Sequence, residues 1–193
     1  MRSVCVYCGS GDGLDPAFTD AAVGFGQALA QRSLSLIYGG ARNGLMGAVA
    51  DAALAGGASV TGVIPQALVQ WEQAHPGLSQ QLVVGSMRER KQRMADGADA
   101  FVALPGGIGT LEEIVEMISW AQLGVHFKPC AFLNVNGYYD KLFEFLDHSV
   151  DQGLMRPKIR QMILVDNDPS RLLDALARYR SPVEHRWLDL SQS

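Results

Sequence analysis

Along the chain, short continuous apolar runs alternate with longer stretches in which apolar residues recur every three or four positions. The short runs predict strands at residues 4–7, 34–38, 59–64, 81–85, 100–104, 130–135 and 163–165. The longer stretches predict helices at 17–31, 45–54, 87–95, 111–123 and 138–151. Asp168-Pro169 adds a cap and an N1 proline for a last helix that reaches Tyr179. Strands without polar alternation are buried on both faces, as in parallel sheets covered by helices. The expected fold is α/β, a Rossmann-like doubly wound sandwich with a mostly parallel central sheet flanked by helices. Residues 1–180 are expected to form one domain. Residues 181–193 read as a polar tail that carries Trp187, Leu188 and Leu190.

Composition narrows the function classes. With 193 residues, 48% of them apolar, the chain can bury a full core. The net charge of −4 argues against a general nucleic-acid binder. No apolar run approaches the ~18 residues of a membrane span. The start, Met1 to Tyr7, reads as strand rather than as a signal peptide, so cytoplasm is the expected compartment. Cys5 and Cys8 form a C-x-x-C, but on a strand and the turn after it. A redox pair wants its first thiol at a helix start and zinc wants four ligands, so these read as buried thiols. No His/Asp/Cys cluster suggests a metal.

Three predicted strands run into glycine. After the first comes Cys8-Gly9-Ser10-Gly11-Asp12-Gly13-Leu14, which lacks the last glycine of G-x-G-x-x-G. The second strand ends Tyr38-Gly39-Gly40 instead of in the acid that would hold a ribose, so NAD binding fails both tests. No Gly-Lys-Ser/Thr occurs, which excludes a Walker loop. The second loop continues Ala41-Arg42-Asn43-Gly44-Leu45-Met46-Gly47 and fits either a plain turn or a backbone approach to a ligand. The third, Leu104-Pro105-Gly106-Gly107-Ile108-Gly109-Thr110-Leu111-Glu112-Glu113, opens a helix whose free amides and dipole favour phosphate. Thr110 and Glu113 also have capping-box spacing, a purely structural alternative. At 100° per residue, Leu111, Ile114, Val115, Ile118 and Ala121 form the predicted core stripe of that helix. Glu112, Glu113, Glu116, Met117 and Trp120 fall off it. Met117 and Trp120 on the outer side suggest contact with a second subunit.

Ser86-Met87-Arg88-Glu89-Arg90-Lys91-Gln92-Arg93-Met94 packs four cations into six residues. Met87, Met94 and Ala95 are expected to face the core. A solvated face with a Glu89–Arg93 pair is one reading. A cluster for an anionic substrate is the other, because arginine offers phosphate a planar fork. The segment opens on the same sheet edge as the third glycine loop, which favours the second reading.

Pro105-Gly106-Gly107-Ile108-Gly109-Thr110-Leu111-Glu112-Glu113 resembles the P-G-G-x-G-T-x-E-E signature of the LONELY GUY (LOG) family, cytokinin riboside 5′-monophosphate phosphoribohydrolases long mislabelled as lysine decarboxylases. Tyr38-Gly39-Gly40, Gly44-Leu45-Met46-Gly47, Met87-x-x-Arg90-Lys91 and Asn134-Val135-Asn136-Gly137-Tyr138-Tyr139 are similar to the family as well. The likeness runs from about Ser3 to Asp166. Arg88 stands where the family often has histidine, and Ala41 where it has a third glycine. The resemblance implies a single nucleotide-binding domain with Arg90 and Glu113 as its catalytic pair. It implies substrate contacts at Glu72, Arg90, Lys91, Gly107, Ile108, Gly109, Thr110, Leu111, Glu112, Glu113 and Ser119. It also implies a homodimer with sites near the interface.

The implied reaction is hydrolysis of the N-glycosidic bond of an adenosine 5′-monophosphate, N6-prenylated or not, to free base and ribose 5-phosphate. It needs no metal or cofactor, nucleic acid or membrane. Decarboxylation through pyridoxal phosphate needs a Schiff-base lysine, and Lys91, Lys128, Lys141 and Lys158 sit in no evident cofactor motif. A non-catalytic nucleotide sensor built on the same loops is the alternative.

Overall fold

A computed structural model describes residues 1–69 and 74–182 of the chain. Glu72 and residues 183–193 of the expected tail, Trp187 among them, lie outside the described residues. The strands are β1 (Ser3–Tyr7), β2 (Ser35–Tyr38), β3 (Val60–Pro65), β4 (Gln80–Val84), β5 (Ala100–Ala103), β6 (Cys130–Leu133) and β7 (Ile163–Asp166). They form one sheet in the order β4-β3-β2-β1-β5-β6-β7, and every strand pair is parallel. The order reverses between β1 and β5, so the crevice beyond their carboxyl ends is the switch point where such sheets bind ligands.

The helices are α1 (Pro16–Gln31), α2 (Gly44–Ala55), α3 (Met87–Gly97), α4 (Ile108–Gln122), α5 (Asp140–Asp151), α6 (Pro157–Arg160) and α7 (Pro169–Arg178). Strand side chains alternate between two cores. Val4, Val6, Val102, Ala131 and Leu133 pack under α1, α2 and α7, whereas Cys5, Tyr7, Phe101, Ala103, Cys130 and Phe132 pack under α3, α4 and α5. Period-two alternation with both faces apolar makes the strands read as unbroken hydrophobic runs. The starts of α1, α3 and α7 are set by short polar side chains. Asp15 accepts from the Ala17 amide at 2.9 Å, Ser86 from the Glu89 amide at 3.1 Å and Asp168 from the Arg171 amide at 2.8 Å.

Several expectations are corrected. The helix expected at 138–151 starts at Asp140, because Val135–Gly137 forms a 3-10 turn in which Asn136 takes φ 49°. The four-residue α6 and a 3-10 turn at Gln66–Leu68 carry too few residues for a periodic signal. Helix α4 starts three residues earlier than expected, at Ile108, with Gly107 at its cap and no side chain capping it. Thr110 therefore lies inside the first turn, and the capping-box alternative falls. The core stripe of α4 is also rotated. Val115 is 49% exposed and Met117 1%. The buried set is Thr110, Ile114, Met117, Ile118 and Ala121. That set has the same 3.6-residue spacing as the expected one, and only the seat over β1 and β5 selects it. In α3, Met87 is 47% exposed and Arg90, at 6%, takes the inward place.

Candidate active site at the sheet switch point

The carboxyl ends of β1 and β5 meet directly, with the Gly9 amide donating to the Pro105 carbonyl at 3.0 Å. Beyond them lies a cleft of about 400 Å³, bordered by Cys8, Gly9 and Ser10 after β1, Met46 on α2, Met87 and Arg90 on α3, and Gly107 to Thr110, Glu112 and Glu113 at the start of α4. The walls come close because glycine allows it. Gly44 has φ +58°, and a β-carbon there would overlap the Ser10 carbonyl. At Gly106 a β-carbon would overlap the Thr110 side chain, so the loop lies flat on the first turn of α4.

Arg90 enters the cleft from below. Its Nη2 donates to the Gly39 carbonyl at 3.1 Å, and a side chain at Gly39 would run into the guanidinium. The second glycine loop thus serves as a seat for this arginine. Glu113 borders the same cleft from α4, partly buried. Burial pushes the Cys8 and Cys5 thiols far up, and the Glu113 carboxylate adds to both shifts; the Arg90 charge opposes the shift at Cys5. Both charges thus reach Cys5 in β1. The thiols stay protonated, so Cys8 is no nucleophile.

Not every expected site residue lines this cleft. Lys91 points along the outside, where its Nζ donates to Glu112 Oε1 at 2.5 Å and to Glu116 Oε1 at 3.2 Å. The hydrogen bond to Glu112 leads in raising the Lys91 pKa above the usual lysine value. Leu111 packs partly buried against the core, and Ser119 is exposed further along α4. The expected Glu89–Arg93 pair is present at 3.6 Å. Trp120 is half-buried and borders an outer groove with Met87, Arg88, Lys91, Gln92 and Glu116. Sequence reading missed Cys8, Gly9, Ser10 and Met46 as cleft residues. The glycine loops after the first and second strands were their signal, had the strand order been known. A larger groove of about 560 Å³ between α1 and α2 brings together only small side chains with Gln27 and Asp51, and no chemistry converges there.

A family profile described as "Possible lysine decarboxylase" matches residues 46–176. Named relatives carry a different activity. In Oryza sativa subsp. japonica, "Probable cytokinin riboside 5'-monophosphate phosphoribohydrolase LOGL9" is 49% identical over 179 residues, which cover 93% of this chain and 79% of the relative. "Cytokinin riboside 5'-monophosphate phosphoribohydrolase LOG7" of Arabidopsis thaliana is 44% identical over 179 residues, covering 93% and 82%. The chain belongs to the LOG family. Its LOG-family fold is also that of more distant solved structures. The X-ray structure of TM1055 superposes with a TM-score of 0.70 at 21% identity, covering 93% of this chain and all of that one (100%). A molybdenum cofactor binding protein from Rippkaea orientalis gives 0.70 at 19%, covering 92% and 96%. At that identity the likeness is one of fold. The resemblance to the LOG family read from the glycine loops therefore holds for nearly the whole chain, while the decarboxylase wording survives only as the profile's description. Of its lysines, Lys91 and Lys141 are engaged with glutamates, and Lys128 donates to the Ala95 carbonyl and lies over the Phe101 ring.

Proposed function

We propose that the chain hydrolyses the N-glycosidic bond of an adenosine 5′-monophosphate, N6-prenylated or plain, and releases free base and ribose 5-phosphate. One observation carries the reading: an uncapped helix start, a buried arginine and a glutamate converge on one cleft at the switch point. Helix starts at α1, α3 and α7 hold a capping side chain and those of α2, α4, α5 and α6 do not. The start of α4 is the uncapped one whose residues Gly107 to Thr110 line the cleft with Arg90 and Glu113, where its amides can meet a ligand. A 5′-phosphate suits them, because free N–H groups and the helix dipole both favour an anion.

In the proposed reaction the bond between C1′ and the base breaks as a water oxygen bonds to C1′. The base leaves with the bonding pair and takes a proton from solvent. Positive charge grows on the ribose as the bond lengthens. Glu113 stabilises that charge and takes a proton from the water, while Arg90 orients the ribose phosphate and holds the carboxylate. Residues 107–113 are the proposed contact segment. Glu72, Lys91 and Ser119 join it as family-derived assignments.

We further propose a homodimer through the outer face of α3 and α4, where Met87, Ile108, Val115 and Leu123 are exposed at 47%, 82%, 49% and 46%. Ser119 lies on that face, away from the cleft of its own protomer, and in a dimer it serves the partner's substrate. Three free, buried thiols suit a reducing compartment, and cytoplasm is the proposed location. Among the described residues no helix is long and apolar enough to cross a membrane.

The test is incubation with AMP and with isopentenyladenosine monophosphate, followed by measurement of free base and ribose 5-phosphate. Stoichiometric release of both products is expected, and the ratio of kcat/KM values identifies the preferred base. Tight binding of either nucleotide without release would establish a sensor instead.

A further inference from the structure

The segment Asn134-Val135-Asn136-Gly137-Tyr138-Tyr139 lies outside the proposed catalytic machinery, yet it is built onto it. Asn134 Oδ1 accepts from the Tyr139 amide at 2.8 Å and its Nδ2 donates to Asp140 at 2.7 Å, which fixes the turn. Asn136 Nδ2 donates at 2.9 Å to Asp15, the cap of α1. From this turn two hydroxyls reach the third glycine loop. Tyr139 Oη donates to the Leu104 carbonyl at 2.6 Å and Tyr138 Oη to the Gly106 carbonyl at 2.8 Å. The carbonyl between them, that of Pro105, accepts from Gly9. Three successive carbonyls are thus each held by a separate donor.

Within a trans peptide the C=O and N–H point in opposite directions. Holding the Gly106 carbonyl therefore aims the Gly107 amide the other way. Gly107 borders both the catalytic cleft and the notch of about 270 Å³ beside it, whose wall includes Tyr138 and Phe18. Tyr138 is kept in place by edge-to-face contacts with Phe18 at 5.2 Å and Tyr139 at 4.9 Å. We propose that Tyr138 is a positioning residue for the phosphate, its hydroxyl locking the Gly106–Gly107 peptide so that the Gly107 amide donates to the 5′-phosphate. This rests on the nucleotide reading above and adds to it the residue that orients the cradle.

The neighbouring tyrosine supplies an internal control. The Leu104 carbonyl shares its peptide with Pro105, which has no N–H to aim. Tyr139 therefore supports the loop without orienting a donor. The experiment compares Tyr138→Phe and Tyr139→Phe with the unaltered protein, using ribose 5-phosphate and adenosine as calorimetric ligands and AMP as substrate. Loss of one aligned donor to a charged group predicts about a tenfold weaker affinity for ribose 5-phosphate in Tyr138→Phe. Its adenosine affinity is unchanged, and for AMP the KM rises while kcat holds. Tyr139→Phe lowers the melting temperature and leaves the ratio of ribose 5-phosphate to adenosine affinity as it was.

Unchanged ribose 5-phosphate affinity in Tyr138→Phe overturns the proposal, as does an equal loss for both ligands or the same selective loss in Tyr139→Phe. An unaltered protein that binds ribose 5-phosphate but releases no base refutes the hydrolase reading alone, and the positioning role is still decided by the binding arm. If it binds neither ligand, both fall.

Discussion

Arg90 is the residue on which the site turns. A guanidinium 6% exposed has left most of its water, so its N–H groups depend on fixed acceptors in the protein. The Gly39 carbonyl is one of these, and the glycine beneath it makes the room. Glu113 faces the same space with its charge beside neutral thiols. Glu113→Gln is expected to bind AMP normally and to lose roughly 10²–10⁴-fold in kcat, the usual worth of acid–base assistance. Saturating turnover assays together with calorimetry read both halves, and near-normal turnover would take Glu113 out of the mechanism. Arg90→Ala is expected to lower kcat/KM by about two orders of magnitude or more, as loss of the group that orients the ribose phosphate and the carboxylate does. An unchanged value would reduce the basic helix to surface. The identity of these two residues was legible in the motifs. The burial of Arg90 was not. In Arg88-Glu89-Arg90-Lys91-Gln92-Arg93 every side chain looks equally suited to water, and only the gap left by Gly39 selects one of them.

At the level of elements, the site depends on how closely α1 and α2 approach. A β-carbon on Gly26 of α1 would come within 2.4 Å of the Val49 carbonyl and within 2.9 Å of Ala52. Gly26→Ala should therefore force the helices apart and cost ~1–3 kcal/mol in urea denaturation, the range for overpacked cores. Because α2 carries Gly44 beneath Ser10, its AMP affinity should fall as well. A variant as stable as the parent would show that the helices separate freely. The existence of α3 and α4 followed from periodicity. Their rotation did not, since two overlapping stripes were available on α4 and the packed one, which contains Thr110 and Met117, is the less apolar of the two.

For the whole molecule, pH and assembly are the accessible measurements. His126 packs on Phe101 with ring centroids 5.2 Å apart, and its Nδ1 accepts from the Lys128 amide at 3.2 Å. Burial, helped by the Lys128 charge, lowers its pKa from 6.5 to about 4; the Met117 carbonyl pulls the other way without reaching hydrogen-bond geometry at Nε2. The unfolded chain takes up this proton near pH 6.5 and the folded protein only near pH 4. The contribution to stability is therefore complete above pH 6.5 and is lost as pH falls toward 4. Denaturation midpoints should decline over that window, and His126→Gln should flatten the slope. A slope unaffected by the substitution assigns the titration to other groups. Assembly is tested by Val115→Glu, which puts a charge on the exposed face of α4. Light scattering should find a dimer for the parent and a monomer for the variant. A dimer in both would move the interface elsewhere.

The sequence by itself determined the alternation of elements, the parallel sheet and the family, because these rest on local periodicity and on contiguous motifs. Glycines at the strand ends marked loops that border the cleft, for the same reason. Tertiary structure alone decided the rest. It set which face of α4 is buried, which arginine turns inward, and how three loop carbonyls are held by Gly9, Tyr138 and Tyr139. Those outcomes depend on pairs such as Tyr138 and Gly106, separated by 32 positions in the chain. Burial and hydrogen bonding between distant segments leave no period in the sequence, so only the folded arrangement reveals them.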